Sequence, residues 1–329
     1  MTTDPYWYGP NKVILAWKKG NAKFKKFFVK GINAMEIKIL KGQSCYIPGR
    51  VNVGLWKDGK DGCFLIDSGG DETSGRRLFR LIQENNLKLR GILNTHSNAD
   101  HVGGNAYLQK KTACPIWASS IEDTVIQNPF LEPMLLWGAA PFRALTGKFL
   151  QAAPSLVTQI LSPGERVPDT DLTVLALPGH FINMIGFLSA DGVCYIADSL
   201  FAKEVIEKYR FMVAFDVEAT LATLDMLEKL EAAWFVPCHA EPVEDIRPLV
   251  NENRKGIEAL SHAVHDLCSV PRSREEILAL LVQKWDLEMN PVQYVLNSSS
   301  LSAYLTFLEK KGLIVPFVEK GNLLWQKKH

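Results

Sequence analysis

Five short apolar runs in this chain each lead to a carboxylate or an imidazole: GCFLID to Asp67, GILNTH to His96, LTVLALPGH to His180, VCYIAD to Asp198 and WFVPCH to His239. Runs of this length, rich in β-branched and aromatic residues and bounded by Gly, Pro, Asp and Ser, read as buried strands. A polar residue at the end of such a strand sits where the backbone leaves the sheet. Five of them in order can therefore converge on one sheet edge.

The remaining pattern supplies the frame. MEIKIL, YIPGRVNVGLW and GCFLIDSG read as β segments separated by the turn residues of GQS and KDGKDG, and PIWAS and IGFLSA are further strands. DETSGRRLFRLIQENN, HVGGNAYLQKK and DVEATLATLDMLEKLEA are helical in pattern. Strands in two runs, each closed by helices, predict an α+β fold with two sheets face to face and helices outside. Residues 128–160 are apolar, aromatic and broken by Pro133, Pro141 and Pro154, the character of a lid, a partner surface or plain helical packing. Phe130, Met134, Leu135, Leu136, Trp137 and Phe142 in that insertion favour a small-molecule substrate with an apolar part.

Beyond the helical pattern at 245–268, Ser273 with Glu275 and Glu276 predicts a capped helix. VQYVLNSSSLSAYLTFLEKKG reads as a second and a third helix, and LIVPFVEKGNLLWQKK as a hairpin turning at Lys320-Gly321-Asn322. Three helices and a hairpin resemble a winged helix. The organisation expected is a basic extension at 1–34, a sandwich domain at 35–245, and a helical linker with a winged-helix-like domain at 246–329.

Charge narrows the partners. Lys and Arg total 37 against 36 Asp and Glu, a net charge of +1, and residues 251–329 hold ten basic against nine acidic residues. Neither is a footprint for duplex nucleic acid, so the C-terminal unit reads as structural or as a homodimer interface. Seven Lys crowd into residues 1–34 against Asp4 alone, as an arm for an anionic surface, a packed extension or an upstream start before Met35. The six Cys form no CxxC pair, which suits a reducing, cytoplasmic setting. No apolar run has the roughly 18 residues of a transmembrane helix. GxSxG, GxxxxGK[ST] and GxGxxG are all absent from the sequence.

Imidazoles and carboxylates from several strand ends are the ligand types of catalytic zinc and non-haem iron sites. In order, Asp67, the segment Thr95-His96-Ser97-Asn98-Ala99-Asp100-His101, His180, Asp198 and His239 resemble the metallo-β-lactamase superfamily over about residues 35–245. The resemblance implies a four-layer αββα sandwich with two adjacent metal positions along one edge. Asp100, His101 and His239 would hold one; His96 and His180 would hold the other, with Asp198 bridging. Asp67 would support the site without being a ligand. The family motif HxHxDH matches at His96, Asp100 and His101, but its second His is Asn98. An amide oxygen is a weak, neutral ligand for zinc beside imidazole. Asn98 is therefore expected to complete the second position weakly, to hydrogen-bond a bound water or to point away.

The implied function is a metal-dependent hydrolase, with one or two zinc ions and Asp100 beside the reacting water, acting on an ester, thioester or related bond. Three other readings stand beside it. His96, His180 and Asp198 are a two-His, one-carboxylate set compatible with an iron dioxygenase acting on persulfides. An RNA-cleaving nuclease and a non-catalytic metal-binding protein are the others.

Overall fold

The apolar runs become strands because their side chains alternate between two buried faces. In the computed structural model, which describes residues 35–328, β1 (Lys38–Lys41), β2 (Ser44–Ile47), β3 (Val53–Lys57), β4 (Gly62–Ile66), β5 (Lys88–Leu93), β6 (Ile116–Ala118) and β7 (Gln159–Ile160) form a seven-stranded sheet in that order. The basic extension 1–34 lies outside the described residues. A four-stranded sheet has the order β11 (Trp234–His239), β10 (Val193–Phe201), β9 (Ile185–Leu188), β8 (Thr173–Ala176). In β4, Cys63 and Leu65 face outward while Phe64 and Ile66 face the second sheet. In β10, Val193 and Tyr195 face the first sheet while Cys194 and Ile196 face outward. Period-two burial on both faces is what packing between two layers requires.

Parallel neighbours need crossovers, and helices provide them. α1 (Glu72–Glu84) joins β4 to β5, and α7 (Val217–Lys229) joins β10 to β11. Leu78, Leu81 and Ile82 of α1, with Leu108 of α3 (Asn105–Thr112), cover the outer face of the larger sheet. α6 (Lys203–Tyr209), α7 and α8 (Arg247–Leu267) cover the smaller one together with α9 (Arg274–Trp285) and α10 (Pro291–Lys310). The result is helix, sheet, sheet, helix, the four layers expected. The short α2 (Ala99–Val102) follows β5, and α4 (Glu122–Gln127) and α5 (Leu131–Trp137) lead into the apolar insertion.

Two sequence expectations are corrected. YIPGRVNVGLW is not one β segment: Pro48 and Gly49 turn the chain between β2 and β3, which pair antiparallel from Ser44↔Trp56 to Ile47↔Val53. The second and third C-terminal helical patterns are the single helix α10. The helix runs through Asn297-Ser298-Ser299-Ser300, where the Ser300 hydroxyl donates to the Leu296 carbonyl at 3.0 Å and the Ser302 hydroxyl to the Ser298 carbonyl at 3.1 Å. As expected, Ser273 caps α9 in a full capping box with Glu276, and β12 (Ile314–Glu319) and β13 (Asn322–Lys327) form the terminal hairpin. One apolar cluster runs unbroken from Ile196 of β10 through Leu260 of α8 to Leu281 of α9, Tyr304 of α10 and Ile314 of β12. Among the described residues no helix is long and apolar enough to cross a membrane. All six cysteines are buried and unpaired.

Candidate metal centre

Asp67, His96 and His239 lie where their strands end, as expected, but Asp198 does not: β10 continues past it to Phe201, with an irregular register against β11. Asp67 follows β4, His96 follows β5, and Asp100 and His101 ride on α2. His180 lies between β8 and β9, Asp198 lies within β10, and His239 ends β11. Two non-glycine residues here carry positive φ, Asp67 at 65° and Ala197 beside Asp198 at 49°. Such conformations cost free energy and concentrate at functional sites. The loops after β4 and β5 are tied together by Ser68 N–H donating to the His101 carbonyl at 2.7 Å and Gly104 N–H to the Gly69 carbonyl at 3.2 Å. Ile185 N–H donates to the Thr95 carbonyl at 2.9 Å, locking the second sheet to the first beside His96.

Hydrogen bonds decide which ring nitrogens stay free. Asp67, fully buried, accepts from Thr95 Oγ1 at 2.8 Å and from Thr95 N–H at 2.9 Å. Having given its proton to Asp67, the Thr95 hydroxyl can only accept from His96 Nδ1, 2.9 Å away. His101 Nδ1 lies 2.9 Å from Asp67 Oδ2, and His180 Nδ1 lies 3.0 Å from the Val213 carbonyl. The Nδ1 atoms of all three are thus committed, and every Nε2 is turned inward. A metal-binding histidine shows this same division of labour between its two nitrogens.

The inward atoms crowd together. His101 Nε2 lies 3.3 Å from Asp198 Oδ1, His239 Nε2 lies 3.1 Å from Asp198 Oδ2, and His180 Nε2 lies 3.6 Å from that same oxygen. His96 Nε2, His101 Nε2 and Asp198 Oδ1 are buried with no hydrogen-bond partner. Leaving buried polar atoms unpaired is costly unless something else satisfies them. Two overlapping groups, His96/His101/Asp198 and Asp100/His101/His239, each place their donor atoms within 4.8 Å of one another. Imidazole nitrogen and carboxylate oxygen are the right donors for a zinc- or iron-class ion, so the donor types fit the metal the sequence implied. Asp100, His101 and His239 group as expected, whereas His96 groups with His101 and Asp198, and His180 stands beside them with its Nε2 3.6 Å from Asp198 Oδ2. A third such group, Asp67/His101/Cys238, uses the opposite side of His101. Burial pushes the Cys238 thiol up to about 12, so its sulfur stays protonated.

Electrostatics divides the site. Burial, reinforced by His101, holds His96 well below the ordinary histidine range, and burial likewise lowers His180. Burial also opposes charge on His101 and His239, but Asp198 and Asp100 outweigh it, raising His101 well above its usual value and His239 to about 10. Asp198 resists the upward push of burial because His239 and His101 hold its carboxyl well below the usual range. Asp100 is held low in the same way, chiefly by His101 and His239. Its side chain is 47% exposed where that of Asp198 is 5% exposed, so Asp100 is the carboxylate that solvent reaches.

Two glutamates complete the picture, and the sequence reading did not single out either. Glu122, fully buried, accepts from Ser97 N–H at 3.0 Å, Ser97 Oγ at 2.6 Å and Asn183 N–H at 2.9 Å. It clamps the loop after His96 to the loop after His180. Glu132 of α5 accepts from Asn98 Nδ2 at 2.8 Å. Their only signal in the sequence is an acid within apolar surroundings, as in LEPMLLW. Phe201 stacks on the His239 ring at 16° and 5.8 Å between centroids.

Comparison with known proteins identifies the family and the fold. The family model described as the metallo-beta-lactamase superfamily matches residues 46–239. Hydroxyacylglutathione hydrolase GloC of Haemophilus influenzae is 28% identical over 149 residues, 45% of this chain and 65% of that protein. This chain therefore spans slightly less than two thirds of that relative. A beta-lactamase domain protein of Burkholderia ambifaria superposes with a TM-score of 0.67 at 17% identity, covering 92% of this chain and 96% of that one. A metallo-beta-lactamase family protein of Thermus thermophilus does so with a TM-score of 0.66 at 19% identity, covering 90% and 99%.

Proposed function

The chain belongs to the metallo-β-lactamase superfamily, and on that premise we propose that it is a zinc-dependent hydrolase acting on a thioester or ester with an apolar part. One observation carries the reading: four imidazoles and two carboxylates, from five separate places in the chain, meet around Asp198 and His101, with three buried donor atoms left without hydrogen bonds. Asp100, His101 and His239 would hold one ion, and His96 and His180 the other, with Asp198 between them. Bound zinc supplies Lewis acidity, which activates water at neutral pH and polarises the oxygen of the scissile carbonyl.

The protein's own groups do the rest. Asp67 fixes the rings of His96, through Thr95, and of His101, so both present Nε2. Asp100 stays ionised, lies within 3.7 Å of His101 and 3.5 Å of His239, and faces solvent, so it can accept a proton from attacking water. Phe130, Leu135, Trp137 and Phe142 expose apolar surface on the insertion that carries Glu132, which suits an acyl or thiol portion without charge. Support for a thioester comes from GloC, whose named substrate class, hydroxyacylglutathione, is a thioester.

The test is elemental analysis of tag-free protein, followed by a thioester and ester panel before and after chelation. One to two equivalents of zinc and turnover that zinc restores are expected, and His239→Ala should abolish both turnover and the tighter ion. Iron near one equivalent with oxygen uptake on persulfides would replace this reading by the dioxygenase. A protein holding no metal would end both.

A further inference from the structure

Asn98 stands where the family motif has histidine, and its surroundings show what replaced the imidazole. Asn98 Oδ1 lies 3.1 Å from His180 Nε2. That contact is not an ordinary hydrogen bond. His180 Nδ1 faces the Val213 carbonyl at 3.0 Å, an acceptor with no proton to give, so Nδ1 carries the ring hydrogen. In the neutral ring, Nε2 is then a lone pair, and it faces the lone pairs of an amide oxygen. Two acceptors opposed at this distance repel unless a cation lies beside both.

The amide is held in this orientation from the other side. Glu132, 4% exposed, accepts from Asn98 Nδ2 at 2.8 Å across 34 residues of sequence. With its NH2 turned to a carboxylate, the amide must turn its oxygen toward His180. We propose that the Asn98–Glu132 pair is a substitute for the missing imidazole: Glu132 positions Asn98 so that its side-chain oxygen is the third protein ligand, with His96 and His180, of the weaker metal position. This rests on the metal-centre reading above. Carboxylates that hydrogen-bond metal-ligating histidines fix their orientation and raise their basicity. By accepting the amide N–H, Glu132 fixes Asn98 in the same way and presents its oxygen toward His180. Glu132 is thus a positioning residue, at the start of the insertion.

The test is calorimetric titration of the chelator-stripped full chain with zinc chloride, which reads affinity at each position without reference to activity. Wild type should show a tighter and a weaker site. Glu132→Leu should weaken the second about 10- to 100-fold, the usual effect of removing such an outer partner, and leave the first unchanged. Glu132→Gln keeps an acceptor for Asn98 Nδ2 and should recover most of the loss, which a purely structural role for the charge would not do. Asn98→Ala, a loop truncation that disturbs packing less, should lose the same site, and adding Glu132→Gln to it should change nothing further. A Glu132→Gln loss as deep as that of Glu132→Leu would show that the charge of Glu132 or its direct ligation, and not its acceptor role toward Asn98, holds the site, and would overturn the proposal. Two intact sites in Glu132→Leu and Asn98→Ala would overturn it while sparing the metal centre. No zinc uptake by wild type would remove both.

Discussion

A methyl group has no room at Gly103. A Cβ there would lie 2.3 Å from the Gly70 carbonyl carbon and 2.5 Å from the Asp71 nitrogen, backbone atoms that cannot rotate aside. Gly104 is equally confined, 2.4 Å from the Ser68 carbonyl oxygen. These contacts bring the loop after β4 onto the segment that follows His101, and the same approach sets the 2.9 Å contact between Asp67 and His101. Gly103→Ala should therefore cost about 1–3 kcal/mol, as overpacking does elsewhere. It should also loosen the tighter metal position, because His101 moves with its backbone. Thermal denaturation and zinc content after dialysis check the two effects together; normal values in both would mean the loop contact does not set the site.

At the scale of the element, Asp71 both caps α1 and reaches the insertion. Its carboxylate accepts from Ser74 N–H at 3.0 Å, and Lys148 Nζ lies 3.0 Å from its other oxygen. The hydrogen bond from Ser74, then Lys148, holds its pKa below the ordinary value. A depressed carboxylate stabilises the fold above its unfolded-state pKa of about 3.9 and stops doing so as pH falls through the folded value. Asp71→Ala should then cost about 1 kcal/mol at pH 7, the usual worth of a cap, with little from the exposed Lys148 pair. The gap between variant and wild type should stay constant down to about pH 5 and close below pH 4. Denaturant melts from about pH 7 down to about pH 2 measure it, and a gap undiminished at the lowest pH would assign the loss to something other than the carboxylate. Elements such as α9 were legible in the sequence because a capping serine precedes them and acids fill the first turn. The strand ends carrying Asp67, His96 and His239 were legible because a two-sided buried strand admits polar residues most readily where it leaves the sheet. Asp198, expected at a strand end, instead lies inside β10, where Ala197 has positive φ and the register against β11 shifts. The turn at Pro48 and Gly49 was missed because apolar residues continue on both sides of it. The two helical patterns expected after Pro291 are one helix because serine hydroxyls bonding back to the preceding turn are invisible until the helix is built. Glu132 could not be found at all, since only the fold brings α5 to Asn98.

At the scale of the whole molecule, α10 joins parts that are far apart in sequence. Val295 packs in a small buried cluster with Leu145 and Leu150 of the insertion, flanked by Leu136 of α5 and by Val292 and Leu296 of α10. Leu136 lies one turn after Glu132, so the face that α10 braces is the one that presents Glu132 to Asn98. Farther along, Leu301, Tyr304, Leu305 and Leu308 of α10 belong to the large cluster that includes Ile196 and Ala197 of β10, immediately before Asp198. One C-terminal helix thus ties the insertion to the strand that carries the central carboxylate, so geometry at the proposed weaker metal position should depend on both anchors. Leu145→Ala removes buried contacts worth about 2–5 kcal/mol in a well-packed site. The cluster holds few residues and sits apart from the sheets, so the loss should appear as local opening rather than global unfolding. Hydrogen exchange in peptides spanning 128–150 should accelerate, while peptides from β5 and β10 keep wild-type protection. Zinc affinity at the position of His96, Asn98 and His180 should fall with it, and the Asp100/His101/His239 position should hold. Uniform acceleration across all peptides would show that the insertion is part of the main core, and unchanged exchange at 128–150 would show that α10 does not brace it.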